Sequence, residues 1–187
     1  MEKVVIFGST GNTGVCAVEA AVKKGLNVRA FLRDPAKLPD HLRNSVEVVQ
    51  GNVLNYKDVL NAIKNVTAVV VVLGTRNDLK ATTDMSEGLK NIIQAMKELN
   101  VEILSVCLSA FLFRKPEDVP AIFKDINADH QRIRTWYRLL CETRRKSWWQ
   151  SYLEVGSRTI FGRLSISTRT LWESCWHLYK AKSVDFI

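Results

Sequence analysis

The stretch KVVIFGSTGNTG, residues 3–14, decides the expected fold of this chain. Residues 3–7 form a short, nearly continuous apolar run, which is typical of a strand buried on both faces of a parallel sheet. Gly8, Gly11 and Gly14 follow at a spacing of three, where a helix would begin. Such a turn exposes helix-start amides to an anion and lets the backbone approach a pyrophosphate. We therefore predict dinucleotide binding here, with a plain connecting loop as the alternative.

Strand and helix patterns alternate through the residues that follow. Apolar runs rich in β-branched residues predict strands, and apolar stripes at helical spacing predict helices. Their short connections imply a single-domain α/β fold of the Rossmann type, with a doubly wound parallel sheet and helices on both faces. Ligands of such folds lie beyond the carboxyl ends of the strands, so loops after the first and fourth strands should face each other. The later predicted strands cover 26–32, 46–49, 67–73 and 101–108, and the predicted helices cover 12–24, 56–65, 83–99 and 121 to about 141.

The residues after the second predicted strand bear on which nicotinamide nucleotide would bind. An acid there would accept hydrogen bonds from the ribose 2′-hydroxyl, whereas a base would pair with a 2′-phosphate. Arg33 can grip a phosphate with two hydrogen bonds, and Lys37 lies one helical turn beyond it, which favours NADPH. Asp34 keeps NADH open if it points at the ribose instead. A solvated Arg33–Asp34 pair without any ligand is the third interpretation.

Polar residues also follow the fourth and fifth predicted strands. Arg76 would hold a phosphate or an anionic substrate, or it would be a solvated loop residue. Ser109 would place a hydroxyl beside a nicotinamide, or it would only cap the strand end. His130 falls in the last predicted helix, where it would face a substrate or simply lie on the surface. Met85 belongs to an apolar helix stripe, which favours core packing.

Charge and tryptophan are distributed unevenly along the chain. Residues 1–130 hold 16 basic and 15 acidic side chains, whereas residues 131–187 hold 11 basic and 4 acidic ones and therefore most of the net charge of +8. All five tryptophans follow residue 130, and all four prolines precede it. We therefore divide the chain into a nucleotide-binding domain, residues 1–133, and a divergent basic segment, residues 134–187. No RNA- or lipid-reading motif organises these charges, so we expect no nucleic-acid or membrane partner.

Composition excludes several other classes of protein. A chain of 187 residues with 47% hydrophobic and 25% charged residues can bury one sizeable core and is neither disordered nor fibrous. No stretch approaches the roughly 18 apolar residues of a membrane span, and the first residues lack the features of a secretory signal, which predicts a cytoplasmic protein. The four cysteines have no close pair, so neither a metal site nor a disulfide framework is expected.

Several motifs together closely resemble the flavin reductase (NADPH) family, also called the biliverdin-IXβ reductase family. The resemblance covers about residues 3–133, and LGTRNDL, residues 73–79, is far more specific than the glycine loop. It implies a monomeric Rossmann enzyme that passes hydride from NADPH to flavins, to non-α isomers of biliverdin and to similar planar acceptors. The other matching motifs are GSTGNTG at 8–14, LRD at 32–34, MSEG at 85–88, SAFL at 109–112 and DH at 129–130.

The resemblance also implies roles for individual residues. Thr10, Gly11, Asn12 and Thr13 would cradle the pyrophosphate, and Arg33 with Lys37 would take the 2′-phosphate. Asn52 and Val53 would flank adenine, although the family usually has aspartate at the position of Asn52. Ser109 and His130 match residues of the substrate pocket. The residues that would line the rest of the cofactor are Leu73, Gly74, Thr75, Arg76, Met85, Cys107, Leu108 and Ser109.

The C-terminal segment departs from the family pattern. The family continues with a sixth strand that ends Pro-Pro-His, but no proline follows Pro120 in this chain. A shifted reading frame, an alternative exon or a gene-model error would produce such a change near residue 133. Hydrophobic residues at 147–153 would supply a substitute sixth strand if the segment folds. A protein that binds NADPH without catalysis is the alternative to a working reductase.

Overall fold

The computed structural model describes residues 2–76 and 78–144, which form a five-stranded parallel sheet covered by helices. The sheet has the strand order β3-β2-β1-β4-β5. The chain therefore runs outward from β1 on one side and then restarts on the other side of β1. This confirms the doubly wound Rossmann fold. The strands are β1 (Lys3–Phe7), β2 (Asn27–Leu32), β3 (Glu47–Gln50), β4 (Ala68–Val71) and β5 (Ile103–Val106).

Five α-helices connect or cover these strands in the described part of the chain. The connection between β5 and the last helix is built from three short 3₁₀ turns, Ala110–Phe113, Pro116–Asp118 and Ala121–Phe123. A further 3₁₀ turn, Pro35–Lys37, follows β2. None of the helices among the described residues has the length and apolarity needed to cross a membrane. The helices are α1 (Asn12–Lys23), α2 (Asp40–Arg43), α3 (Tyr56–Ile63), α4 (Asp84–Glu98) and α5 (Lys124–Arg144).

Alternate residues of β1 point to two separate hydrophobic layers. Val4 and Ile6 pack with α1 and α2 on one face of the sheet. Val5 and Phe7 pack with α3, α4 and α5 on the other face. All four side chains are at most 5% exposed, which explains why the β1 sequence is a continuous apolar run rather than an alternating one.

The last helix differs from its predicted form at both ends. Helix was predicted from residue 121, but the chain first makes a 3₁₀ turn at Ala121–Phe123 and α5 begins at Lys124. Pro120 fixes the backbone immediately before this turn, which delays the start of the regular helix. α5 then continues through residue 144, across the predicted boundary between residues 133 and 134. Residues 145–187, including the predicted strand at 147–153, lie outside the described residues, so the proposed division stays a prediction.

Candidate active site

The loops after β1 and β4 meet at the carboxyl edge of the sheet, as the fold predicts. Gly8 has φ +84°, and a Cβ atom on it would lie 2.4 Å from the Val72 carbonyl oxygen. Arg76 follows β4 and donates from Nη2 to the Thr10 carbonyl oxygen at 2.9 Å. The arginine itself has φ +58°, which a non-glycine residue rarely adopts. These contacts join the two loops where the strand order reverses, which is where ligands bind in such sheets.

The first turn of α1 presents amides at this edge that have no hydrogen-bond partner in the described part of the chain. Gly11 is the N-cap residue and has no side chain that could cap the helix. The first helical hydrogen bond runs from Val15 N to Gly11 O at 2.8 Å, so the amides of Asn12, Thr13 and Gly14 precede it. The first turn also holds no acidic residue. An external anion would therefore satisfy both the amides and the positive end of the helix dipole.

Two further features hold the glycine loop in place. Ser9 is fully buried, and its hydroxyl donates to the Phe31 carbonyl oxygen of β2 at 2.9 Å. A Cβ atom on Gly14 would lie 2.0 Å from the Gly8 carbonyl oxygen, so only glycine allows α1 to start this close to the loop. The spacing of Gly8, Gly11 and Gly14 marked this loop in the sequence, but the role of Ser9 was missed. The sequence shows Ser9 only as a small polar loop residue, with no sign of its distant partner.

The end of β2 separates the two candidate nucleotide-selecting residues. Asp34 Oδ1 accepts a hydrogen bond from Ala36 N at 3.0 Å, and Oδ2 lies 3.6 Å from Lys37 Nζ. The aspartate thus caps its own 3₁₀ turn and pairs with the lysine. Arg33 is exposed, and within residues 2–76 and 78–144 its guanidinium has no hydrogen-bond or ion-pair partner. The solvated pair predicted from the sequence as one interpretation is therefore formed by Asp34 and Lys37, not by Asp34 and Arg33.

Residues after β3 form a turn beside α4. Asn52 N donates to Asp58 Oδ2 at 2.9 Å, and Asn52 Oδ1 accepts from Leu54 N at 3.1 Å. The Val53 carbonyl oxygen accepts from Asn91 Nδ2 of α4 at 3.0 Å. The amide side chain of Asn52 therefore stabilises its own turn through its oxygen. Its nitrogen remains as the group that would meet a base.

The other predicted cofactor-lining residues surround the loop after β4. Leu73 is half-buried against the core, and Thr75 O accepts from Asp78 N at 3.2 Å. Gly74 is exposed, and a Cβ atom there would meet none of the described residues within 4 Å. Met85 is 3% exposed and belongs to the core, in line with the packing role that its position in the apolar stripe predicts.

Ser109 follows β5 at the same edge and begins a 3₁₀ turn. Its Oγ accepts from Phe111 N at 3.2 Å, so the capping role that was considered for Ser109 is present. The hydroxyl keeps its own proton, which can still be donated to a ligand. Cys107 N donates to Val71 O at 2.8 Å, which extends the pairing of β5 with β4 up to this point. Leu108 lies between them, half-buried against the core.

His130 lies on α5, which packs against the turn that Ser109 begins. Arg134, one helical turn after His130 on the same face, donates from Nη1 to the Leu112 carbonyl oxygen at 3.4 Å. His130 is half-buried, and its Nδ1 atom is buried with no hydrogen-bond partner among the described residues. Burial lowers the pKa of the His130 imidazole below its ordinary 6.5, and the neighbouring Asp129 partly opposes this. The ring is therefore neutral near pH 7, and its Nδ1 atom lacks a hydrogen bond within the described part of the chain.

Asp129 is a second residue whose role the sequence analysis missed. Its side chain is fully buried and accepts hydrogen bonds from the backbone amides of Met85 and Ser86 at the start of α4. The adjacent histidine drew attention to this position, but no sequence signal marked the aspartate's partners, which lie more than 40 residues away. Across residues 2–76 and 78–144, no group of three or more His, Cys, Asp or Glu side chains could hold a metal ion.

The geometry fits a dinucleotide better than any other cofactor class. Among the described residues, amides without partners at a helix start suit a pyrophosphate, and the exposed guanidinium of Arg33 suits a further phosphate. The NAD(P)H-binding family matches residues 8–144, which is the greater part of the chain. The match begins at the glycine loop and ends with α5.

Comparisons with individual proteins agree with this family. A protein named oxidoreductase GME11367 from Pestalotiopsis microspora is 28% identical over 105 residues, covering 53% of this chain and 40% of that protein. Oxidoreductase dmxR7 from a Cryptosporiopsis species is 26% identical over 108 residues, covering 54% and 45%. The chain thus spans less than half the length of these relatives. The structure of Pen from Bacillus thuringiensis, 19% identical with a TM-score of 0.63, shares the fold over 78% of this chain and 46% of that one.

Proposed function

The chain belongs to the NAD(P)H-binding family, and from that premise we propose that it is an NADPH-dependent oxidoreductase that transfers hydride to flavins and biliverdin-like acceptors. The choice of NADPH over NADH rests on the hydrogen bonds and ion pairs of the residues after β2. Arg33 is exposed and unpaired within residues 2–76 and 78–144, while Asp34 is engaged by Ala36 N and Lys37. A guanidinium without a partner favours a 2′-phosphate, whereas a carboxylate already bonded within its own turn is a poor acceptor for a ribose hydroxyl.

The proposed acceptors follow from the resemblance to the flavin reductase and biliverdin-IXβ reductase family. That resemblance includes LGTRNDL at 73–79 and SAFL at 109–112, which follow the neighbouring strands β4 and β5 in the sequence. Both acceptor types contain extended conjugated systems of flat rings that can lie against a nicotinamide. The oxidoreductase names of the curated relatives support the reaction class and say nothing of the acceptor.

The protein's own contribution is to bind and orient two rings. The bound nicotinamide supplies the hydride, so the chain needs no nucleophile. The amides of the first turn of α1 bind the pyrophosphate, and Arg33 binds the 2′-phosphate. The hydroxyl of Ser109 orients the acceptor or passes it a proton, and the neutral ring of His130 lines the acceptor pocket, as the family resemblance implies. Holding the rings in a reactive geometry accounts for most of the acceleration.

The test is NADPH oxidation by the purified chain with FMN as acceptor. We expect turnover that falls at least about tenfold in Arg33→Glu through a raised KM for NADPH, because the substitution removes one charged phosphate contact and adds a repulsion. Lys97→Glu is the matched control. Lys97 is an exposed residue in the last turn of α4, at the opposite edge of the sheet, and the substitution makes the same charge change there.

Three outcomes are informative. Turnover with NADPH and loss in Arg33→Glu alone supports the proposal. Turnover that prefers NADH contradicts the cofactor choice and points to Asp34. NADPH binding without turnover of FMN or biliverdin-IXβ contradicts the enzyme and favours the alternative of a non-catalytic or inactive NADPH-binding protein, which the absence of the Pro-Pro-His motif already raises. We further propose that the protein acts as a cytoplasmic monomer on small molecules, without a nucleic-acid or membrane partner.

A further inference from the structure

Asp129 is a charged side chain that the proposed reaction does not use and that is nevertheless fully buried. Its Oδ2 atom accepts from Met85 N at 3.1 Å and from Ser86 N at 3.3 Å. Its Oδ1 atom lies 3.1 Å from Arg132 Nε, and the same arginine donates from Nη2 to the Thr82 carbonyl oxygen at 2.7 Å. Both carboxylate oxygens are therefore occupied by donors from two parts of the chain.

The start of α4 needs these contacts. Thr83, the N-cap residue of α4, makes no capping hydrogen bond with its own side chain. The free amides of that first turn would otherwise be buried without acceptors, which is costly. A carboxylate also suits the positive end of the helix dipole. Asp129 thus supplies, from α5, the cap that the sequence before α4 lacks.

The contacts of Asp129 with Met85 and Ser86 form a junction between α5 and the start of α4. This junction also fixes the position of the site residues around it. His130 immediately follows Asp129, and Met85 is one of the two amide donors. Arg132 closes the outer side, where its side chain is 44% exposed. A rotation of α5 about its axis would break the bonds of Asp129 to Met85 and Ser86 and would also turn the ring of His130, the next residue on the same helix.

We propose that Asp129 is a positioning residue, which orients His130 by tying α5 to the first turn of α4. Its kinetic consequence rests on the proposed reductase function, whereas its structural consequence does not. A cap that only stabilises the fold would raise the melting temperature without affecting His130. The positioning role predicts that loss of the carboxylate changes the accessibility of His130 in protein that is still folded, and impairs use of the acceptor more than binding of NADPH.

The experiment compares Asp129→Asn with wild type and with Asp125→Asn. Asp125 lies one turn earlier on α5 and is exposed, so its variant makes the same chemical change on the same helix without touching the junction. Diethyl pyrocarbonate modification is measured by mass spectrometry, well below the melting temperature of each protein, as the rate at His130 divided by the rate at exposed His41. Steady-state kinetics with FMN and the Kd for NADPH are measured on the same samples.

For Asp129→Asn we expect the His130 to His41 ratio to rise several-fold and kcat/KM for FMN to fall about tenfold or more, with the Kd for NADPH within about threefold of wild type. Asp125→Asn should match wild type. An unchanged modification ratio in a folded Asp129→Asn variant overturns the proposal, as does an equal loss of NADPH binding and turnover. If wild type itself does not reduce FMN, the proposed function fails while the modification ratio still decides the role of Asp129.

A second variant covers the case in which Asp129→Asn does not fold. Arg132→Gln keeps the carboxylate and its two backbone bonds but removes the ion pair with Asp129 and the contact with Thr82. We expect a smaller rise of the His130 to His41 ratio, in the same direction, in a protein that melts cooperatively. A ratio equal to that of wild type would overturn the proposal in this variant too.

Discussion

Gly14 sets the distance between the first turn of α1 and the loop that precedes it. A Cβ atom at this position would lie 2.0 Å from the Gly8 carbonyl oxygen, so Gly14→Ala must displace either the loop or the helix. We expect the free energy of unfolding to fall by about 1–3 kcal/mol and NADPH binding to weaken, because the amides of the first turn move. Urea denaturation and NADPH titration measure both effects. Gly74→Ala is the stability control, since a Cβ atom there meets nothing within 4 Å.

His130 makes stability depend on pH in a predictable direction. Burial lowers the pKa of its imidazole below 6.5, with Asp129 opposing the shift. Below pH 6.5 the unfolded chain therefore binds a proton at this residue more readily than the folded protein does. The stability that the neutral ring contributes is complete above pH 6.5 and is lost as the pH falls towards the folded-state pKa.

His130→Gln removes this titration. We expect the free energy of unfolding of wild type to fall more steeply than that of the variant between about pH 7 and pH 5, in parallel urea titrations. Other titrating groups are common to both proteins and cancel in the difference. Identical slopes for the two proteins would contradict the burial of a neutral imidazole.

Among the elements, β2 is tied to the amino edge of the sheet by one arginine. Arg29 is 7% exposed, donates from Nη1 to the carbonyl oxygens of Ala62 and Lys64 at 2.7 and 2.8 Å, and pairs through Nη2 with Glu47 at 3.0 Å. These bonds join β2, β3 and the end of α3. Arg29→Met leaves two carbonyl groups without their donor, so we expect a loss of about 3 kcal/mol in urea denaturation. Lys97→Met, at an exposed position, should be nearly neutral.

The ion pairs of Glu47 with Lys3 and Arg29 allow the same contacts to be tested at low pH. A hydrogen bond from Lys3 and a weaker one from Arg29 lower the pKa of the Glu47 carboxyl below its ordinary 4.5, against the opposing effect of burial. Its stabilising contribution is present above pH 4.5 and is lost as the pH falls through the folded-state pKa. We expect the difference in stability between wild type and Glu47→Gln to shrink on acidification below about pH 4.5, as measured by urea denaturation. A difference that does not change with pH would contradict the lowered pKa.

Element positions could be predicted from the sequence because burial leaves a periodic pattern. The bounds of β1 agree with the prediction at both ends, and α4 was predicted at 83–99 and is observed at Asp84–Glu98. The glycine loop was likewise predicted from local spacing. Contacts between distant residues left no such pattern. Ser9 bonds to Phe31 and Asp129 bonds to Met85, which are 22 and 44 residues apart, so neither role could be inferred from the sequence alone.

At the scale of the whole molecule, the candidate nucleotide site spans the point where the two halves of the sheet join. The glycine loop contacts β2 through Ser9 and the loop after β4 through Arg76. The two hydrophobic layers lie on opposite faces of the same sheet and share β1. A ligand that binds both loops therefore stabilises the packing of the entire domain, and its affinity can be measured as a shift in global unfolding.

NADPH and NADH differ only in the 2′-phosphate, so the difference between their effects on unfolding isolates the contribution of Arg33. At equal ligand concentration we expect NADPH to raise the free energy of unfolding by at least about 1.4 kcal/mol more than NADH, which corresponds to a tenfold tighter Kd. Because Arg33 is exposed, salt should screen this contact and reduce the NADPH advantage, whereas binding of the pyrophosphate by backbone amides should depend less on salt. Thermal unfolding with each nucleotide, at low and high salt, measures the difference.

Arg33→Met should abolish the advantage of NADPH at low salt and leave the effect of NADH intact. An advantage that survives in Arg33→Met would assign the 2′-phosphate to another cation, with Lys37 the nearest candidate along the chain.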